Sequence, residues 1–272
     1  VISLPGGSAK YFRYDYKNND SSREYFTSSQ RDLSGNVIGD FAGSRQSASG
    51  AAVYNGKDRS IESIVGDFIH NTVAATDRPE KGGAIYSQGT IGKISGNFVG
   101  NAVVSQKDTH ANGGAVYNDG KLNMGGAVFS GNKAGGKLND VYNAGELNFT
   151  GDVTLDGGIA GNGTTTFAKD TVLTVKTGTT TISNDVVNKG ATLSLVFANG
   201  YAGGEYDLIT EEGSLDKEFN IAQNALYNIK ANENGSYTIS KKTAGDFVAS
   251  TGANVNQANT ISAVAGSKTG SA

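Results

Sequence analysis

Apolar residues in this chain come in short bursts, alternate with polar ones, and stop at Gly, Asn or Asp. "GAIYS" at residues 83–87 and "GAVYN" at 114–118 place a small residue, a β-branched residue and an aromatic in a row. "KISGNF" at 93–98 and "KLNMGGAVF" at 121–129 alternate or cluster apolar side chains over a few positions. Nothing offers the i, i+3, i+4, i+7 stripe of an amphipathic helix. The pattern predicts strands of a few residues, two or three in succession, each ended by turn chemistry.

The bursts also repeat. "KGGAIYSQGTIGKISGNFVGN" at 81–101 returns 31 residues later as "NGGAVYNDGKLNMGGAVFSGN" at 112–132. One phrase reads "VIGDF" at 37–41, "IVGDF" at 64–68 and "ISGNF" at 94–98, and Ser44, Asn71, Asn101 and Asn132 follow Phe41, Phe68, Phe98 and Phe129 by three residues. The other reads "GAAVYN" from Gly50, "GGAIYS" from Gly82, "GGAVYN" from Gly113 and, worn, "NDVYN" from Asn139. Phe-to-Phe spacings are 27, 30 and 31; the steps between Tyr54, Tyr86, Tyr117 and Tyr142 are 32, 31 and 25. Units of this size cannot bury an apolar face alone, and stacking them makes a continuous core. Propeller blades need longer repeats and longer strands. The expected fold is therefore all-β: a right-handed parallel β-helix with one repeat per coil and a β-rich C-terminal cap, the hand following from the rule for parallel crossovers. Equal positions should stack about 4.8 Å apart. Phe41, Phe68, Phe98 and Phe129 then form an internal aromatic column, and Asn71, Asn101 and Asn132 a ladder at a turn. For that ladder a turn-stabilising role is the simpler reading and a ligand site the functional one.

From about Lys137 the Phe-x-x-Asn phrase disappears, but alternating strands persist in "GELNFTGDVTLDGG", "TTFAKDTVLTVKTG" and "ATLSLVFANG", which read as narrower coils of roughly 20 residues. "LYNIKANENGSYTIS" signals a hairpin carrying Tyr227 and Tyr237, suited to covering an open coil edge. The organisation expected is an N-terminal aromatic segment at 1–30, β-helix at 31–200, cap at 201–242 and a small, polar tail at 243–272 that is a weak helix or a linker.

Composition narrows the function classes. Thirty-nine Gly beside 2 Pro suits many tight turns in a chain that keeps its amide donors. A net charge of −3 gives no general basic surface for nucleic acid. The absence of Cys excludes disulfides, thiol nucleophiles and Cys-ligated metals. No apolar run approaches a membrane helix, and the opening "VISLPGGSAK" lacks the stretch of a signal peptide, so any such segment is expected to have been removed.

Candidate chemistry is sparse, and the chain is expected to be no enzyme, with no cofactor and no metal. Asp40 and Asp67 hold equal repeat positions and could form a carboxylate pair, but Asn97 follows them in the third copy, which favours a turn role. Glu146, Asp152 and Asp156 lack the spacing of metal ligands. His70 and His110, the only histidines, have no nucleophile context and read as loop residues. "TVLTV" and "TTTIS" do not recur in the strict register of an ice-binding face.

The segment at 11–26, "YFRYDYKNNDSSREYF", is the first candidate for contact with a partner. It sets Tyr11, Phe12, Tyr14, Tyr16, Tyr25 and Phe26 among Arg13, Lys17 and Arg23. A cap closing the first coil is one reading; an exposed contact edge rich in Tyr and Arg is the other. The stretches "VAATDRPEK" and "VVSQKDTHAN", carrying Arg78 and Lys107, read as insertions projecting from one side of the stack.

The alternation of "GGAIYS" and "GGAVYN" with "FVGN" and "FSGN" resembles the Gly-Gly-Ala-Ile and Phe-x-x-Asn repeats of polymorphic outer-membrane autotransporters. "LVFANGYAGGEYDLIT" with "NGSYTIS" resembles the end of an autotransporter passenger, and "ANVNQANTISAV" looks like the linker helix that threads the export pore. The likeness covers roughly residues 37 to 260. The first repeats depart from it, with Ser44 in place of Asn and Gly50-Ala51 in place of Gly-Gly. What it implies is export by an outer-membrane β-barrel not present in this chain, and display at the Gram-negative cell surface or outside it, as an adhesin. Partners would be a receptor or glycan on a host or neighbouring cell, or copies of the chain itself. Two other classes stay open: a filament subunit built by end-to-end stacking, and a polysaccharide-active β-helix enzyme.

Overall fold

The computed structural model describes residues 49–74, 79–105, 111–246 and 257, and the backbone alone at 9–11, 36–38, 41–42, 45–46 and 75. Its strands wind into a parallel β-helix. A full coil has three walls, and the coil at 85–105 shows them in order. Ile85–Ser87 belongs to a tyrosine wall, Thr90–Val99 to a long wall, and Ala102–Ser105 to a short wall.

Each wall is a ladder of equal repeat positions. On the tyrosine wall Ile85, Tyr86 and Ser87 pair with Val53, Tyr54 and Asn55 below and with Val116, Tyr117 and Asn118 above. On the long wall Thr90–Val99 runs beside Lys121–Ser130, with register shifts on both sides of Ile94 that bend the strand. Backbone pairing carries the series down to Asn36–Ile38 and Ala9–Tyr11. The short wall corrects the reading of the two "insertions". Thr72–Ala75 and Ala102–Ser105 are paired strands, and Val73 and Val103 are buried with Ala51, Ala111 and Ala134 in a small second core. Val73 and Val103 face that core from the two strands, and β-branched side chains suit such a pleated, half-buried wall. Arg78 and Lys107 lie outside the described residues.

The interior is built from columns. Phe68, Phe98 and Phe129 are fully or almost fully buried and stack face to face, with centroids 4.7 Å apart and planes within 3° and 10° of parallel. The Phe41 backbone pairs with Phe68 at the bottom of this column. A second stack joins Phe149 to Phe167 at 5.1 Å, but in register with Ile64, Ile94 and Met124. The bulk thus moves across the long wall as the coil narrows.

Narrowing begins where Lys133–Ala134 turns back on Lys137–Leu138 as an antiparallel hairpin. Its two-residue loop is Gly135-Gly136, both at positive φ, as such hairpins require. The short wall stops there. Later coils advance from Val141 to Ile159, Ile182 and Ile209, steps of 18, 23 and 27 residues. The stack does not end at residue 200, because Ile209, Leu215 and Asn220–Ile221 still pair with the coil beneath. That last coil is threaded through the cap. Gly203–Asp207 precedes it, and Tyr227–Ala231 and Ser236–Lys241 follow it, forming a three-stranded antiparallel sheet with Ser236–Lys241 in the middle. The cap buries Tyr206, Tyr237 and Ile239 on the core, and the Tyr206 hydroxyl donates to the Thr180 carbonyl at 2.6 Å. In the tail, residues 244–246 form a helical turn whose Thr243 and Asp246 cap each other reciprocally.

The Gly-Gly-Ala phrase marks the entry to the tyrosine wall. Gly82 and Gly113 have φ of 64° and 69°, and a Cβ at either would run into the carbonyl of the residue three positions on, Ile85 or Val116. Only glycine satisfies both demands.

Candidate contact surface

The Phe-x-x-Asn turns are held from inside. The backbone N–H and side-chain Nδ2 of Asn71 both donate to Asn101 Oδ1, at 3.0 and 2.9 Å, and Asn101 repeats the arrangement on Asn132 Oδ1 at 3.0 Å each. Asn101 Nδ2 also donates to the Phe68 carbonyl and Asn132 Nδ2 to that of Phe98. All three asparagines are inaccessible to solvent, so the ladder acts as turn structure and offers a ligand no approach.

Every asparagine in the ladder passes a donor upward, so the series needs an acceptor at its top. Asp140 supplies it. Its Oδ1 accepts from Asn132 Nδ2 at 3.0 Å, and its Oδ2 accepts the backbone N–H groups of Asp156, Gly157 and Gly158 at 2.9, 2.7 and 3.1 Å. Burial of this carboxyl outweighs the four donors and lifts its pKa from 3.8 to about 6. The folded chain therefore holds the Asp140 proton more tightly than the unfolded chain. The stabilisation from protonation is complete below about pH 4 and is lost as pH rises through 6, a swing of about 3 kcal/mol. Urea unfolding between pH 4 and 7.5 should show this loss, and Asp140→Asn should remove that component of the slope.

A second internal ladder, not anticipated from the sequence, follows the tyrosine wall. Asn55 Nδ2 donates to Ser87 Oγ, Asn118 Nδ2 to Asn143 Oδ1, and Asn143 and Asn184 converge on Thr165 Oγ1. The signal was the polar residue after each tyrosine, present in all four copies of "YN" or "YS".

Tyr54, Tyr86, Tyr117 and Tyr142 point the other way, outward, and line up across four coils. Their centroids are 5.3, 5.4 and 4.8 Å apart, the first two contacts edge-to-face and the last stacked. Lys81 Nζ lies 4.3 Å from the Tyr117 ring centroid and 5.3 Å from that of Tyr86, a cation–π cover. Tyr86 and Tyr117 are consequently only 8% and 7% exposed, while Tyr54 and Tyr142 at the ends are half-buried. Burial raises the Tyr86 and Tyr142 hydroxyl pKa values.

The enzyme-like candidates have structural occupations. Asp67 Oδ1 accepts from the backbone and side-chain N–H groups of Asn97 at 2.9 and 2.8 Å, tying neighbouring coils together. The Asp40 side chain lies outside the described residues. Glu146 pairs with Lys121 at 3.3 Å, Asp152 accepts from Val172 N–H, and Asp156 accepts from Gly131 N–H. Among the described residues no three acidic or imidazole side chains gather where a metal ion could be held. His70 occupies a left-handed turn position at φ 51° that Gly100 and Gly131 fill in the next coils, and its ring lies over Gly100. His110 is outside the described residues.

Of the N-terminal contact candidates, Tyr11 ends a described backbone strand, whereas Phe12, Arg13, Tyr14, Tyr16, Arg23, Tyr25 and Phe26 lie outside the described residues. No helix among the described residues is long and apolar enough to cross a membrane. Comparison with protein-family models, with curated proteins and with solved structures finds no match to this chain.

Proposed function

We propose that the chain is a non-enzymatic contact scaffold, an adhesin-like passenger of autotransporter type displayed at or released from a Gram-negative cell surface. The supporting observation is how the repeat spends its recurring residues. The phenylalanines, asparagines and glycines that return in each copy lie in internal columns and turns. The outward series on the long wall instead changes coil by coil, from Asn97 to Val128, Thr154, Thr174 and Ser194. A stack that fixes its interior and varies the outer row of its long wall is suited to presenting a long surface. Catalysis asks instead for one fixed constellation on one wall, and the carboxylates best placed for it tie neighbouring coils together. The filament reading needs an open coil edge at each end, and here the last coil packs against its cap.

Beads coated with the full chain should attach to host or neighbouring cells, and beads coated with heat-unfolded chain should not. Attachment no greater than that of uncoated beads would overturn the proposal. So would turnover of a glycan panel that is abolished by Asp67→Ala.

A further inference from the structure

Where the long wall bends, its outer face carries a groove of about 590 Å³ that crosses five successive coils, from Lys93 through Lys121, Asn148 and Lys169 to Lys189. Its floor is kept low by Gly92 and Ala168. Four of its lining residues are lysines and none is acidic, in a chain whose net charge is −3. All four lysines are exposed. Lys121 pairs with Glu146 across the rim, and Lys93, Lys169 and Lys189 make no salt bridge among the described residues. Between the charges runs a row of neutral hydrogen-bonding groups. Asn148 Nδ2 donates to Asn123 Oδ1 at 3.0 Å, and Asn123 Nδ2 donates to the Gly92 carbonyl at 2.9 Å. Thr166 continues the same register position one coil further.

We propose that this groove binds a linear acidic polysaccharide, with its carboxylates or sulfates on the lysines and its hydroxyls on the Asn–Thr row. The inference rests on the contact-scaffold reading and names its ligand class. Charge complementarity selects an anion. The groove follows the helix axis, so the neutral groups of Asn123, Asn148 and Thr166 recur at roughly the 4.8 Å coil spacing, close to the advance of one pyranose in an extended chain, with the lysines placed along both sides. Single-stranded nucleic acid would need exposed aromatic faces for its bases, and the only aromatic residue lining the groove, Phe149, is fully buried.

The test is titration of the full chain with polygalacturonate and with heparin, using dextran as the neutral control and oligothymidylate as the nucleic-acid control. Saturable binding of at least one acidic polysaccharide is expected, weakening with salt and at least ten times tighter than binding of either control. Lys169→Gln with Lys189→Gln should weaken it at least tenfold with unchanged circular dichroism. Lys169→Arg with Lys189→Arg should keep it, and Lys57→Gln with Lys230→Gln, at exposed positions that do not line the groove, should have no effect. Binding that ignores the groove substitutions, or equal affinity for dextran or oligothymidylate, overturns the proposal. Cell attachment that survives the groove substitutions while polysaccharide binding is lost would detach the groove from adhesion and leave the scaffold reading standing. Absence of attachment by the unaltered chain would remove the scaffold reading itself.

Discussion

Phe98→Ala should destabilise the β-helix by about 3–5 kcal/mol, the usual cost of emptying a phenylalanine site in a core that cannot collapse. Phe98 is inaccessible to solvent and sandwiched between Phe68 and Phe129 at 4.7 Å on either side. Backbone pairing above and below fixes the coil spacing, so the cavity cannot close by bringing the neighbouring rings together. In a stack of near-identical units such a gap weakens the coupling between the coils it separates. Hydrogen exchange should therefore quicken first in the strands around residues 64–69 and 94–99, and later near Phe167. Val65→Ala, at an outward position 43% exposed, should stay within about 0.5 kcal/mol. A loss below 1 kcal/mol for Phe98→Ala would place that ring at the surface.

Breaking the asparagine ladder at its centre is the other large effect. Asn101→Ala removes the oxygen that accepts from the Asn71 backbone N–H and Nδ2 and the amide that donates to the Phe68 carbonyl, all at a site closed to water. Each lost buried hydrogen bond of this kind costs about 1–3 kcal/mol, and because they are coupled the loss should reach about 4 kcal/mol. Asn101→Asp has the same shape and still accepts from Asn71, but it can no longer donate. It would turn a carboxylate oxygen toward the Phe68 carbonyl and Asn132 Oδ1, so it should be at least as damaging at neutral pH as the alanine. Chemical unfolding of both variants measures this. Equal, small losses would mean that the backbone pairing alone sustains the turn.

What could be read from the sequence was what recurs at one position in every copy. The phenylalanine column, the Asn71–Asn101–Asn132 ladder and the tyrosine row each follow from a residue type held in register, and a β-helix converts register directly into contact. The hairpin at Tyr227 and Tyr237 was legible from its turn residues, although its third strand, Gly203–Asp207, was not, because a whole coil separates it from its partner. The short wall was missed because in the sequence Thr72–Ala75 and Ala102–Ser105 run straight into polar residues and look continuous with them. The Gly135-Gly136 hairpin that ends this wall carried a plain signal in "KAGGKL". Asp140 was hidden by its chemistry, since a buried carboxylate closing an amide ladder looks in sequence like any other Asn-Asp turn. The groove was invisible for a different reason. Lys93, Lys121, Lys169 and Lys189 are 28, 48 and 20 residues apart and hold different repeat positions. Only the bend of the long wall brings them to one face.

That one repeat makes one coil underlies the columns, the outward rows and the groove alike. It can be measured between two positions on one outward row, Asn97 and Ser194, which the register Asn97–Val128–Thr154–Thr174–Ser194 separates by four coils. The chain has no cysteine, so Asn97→Cys with Ser194→Cys takes two nitroxide labels and no others. Pulsed electron–electron resonance should give a single narrow distribution centred at about 19 Å, four coil spacings of roughly 4.8 Å, with only the label linkers adding width. A broad distribution, or a mean well beyond 30 Å, would contradict the account.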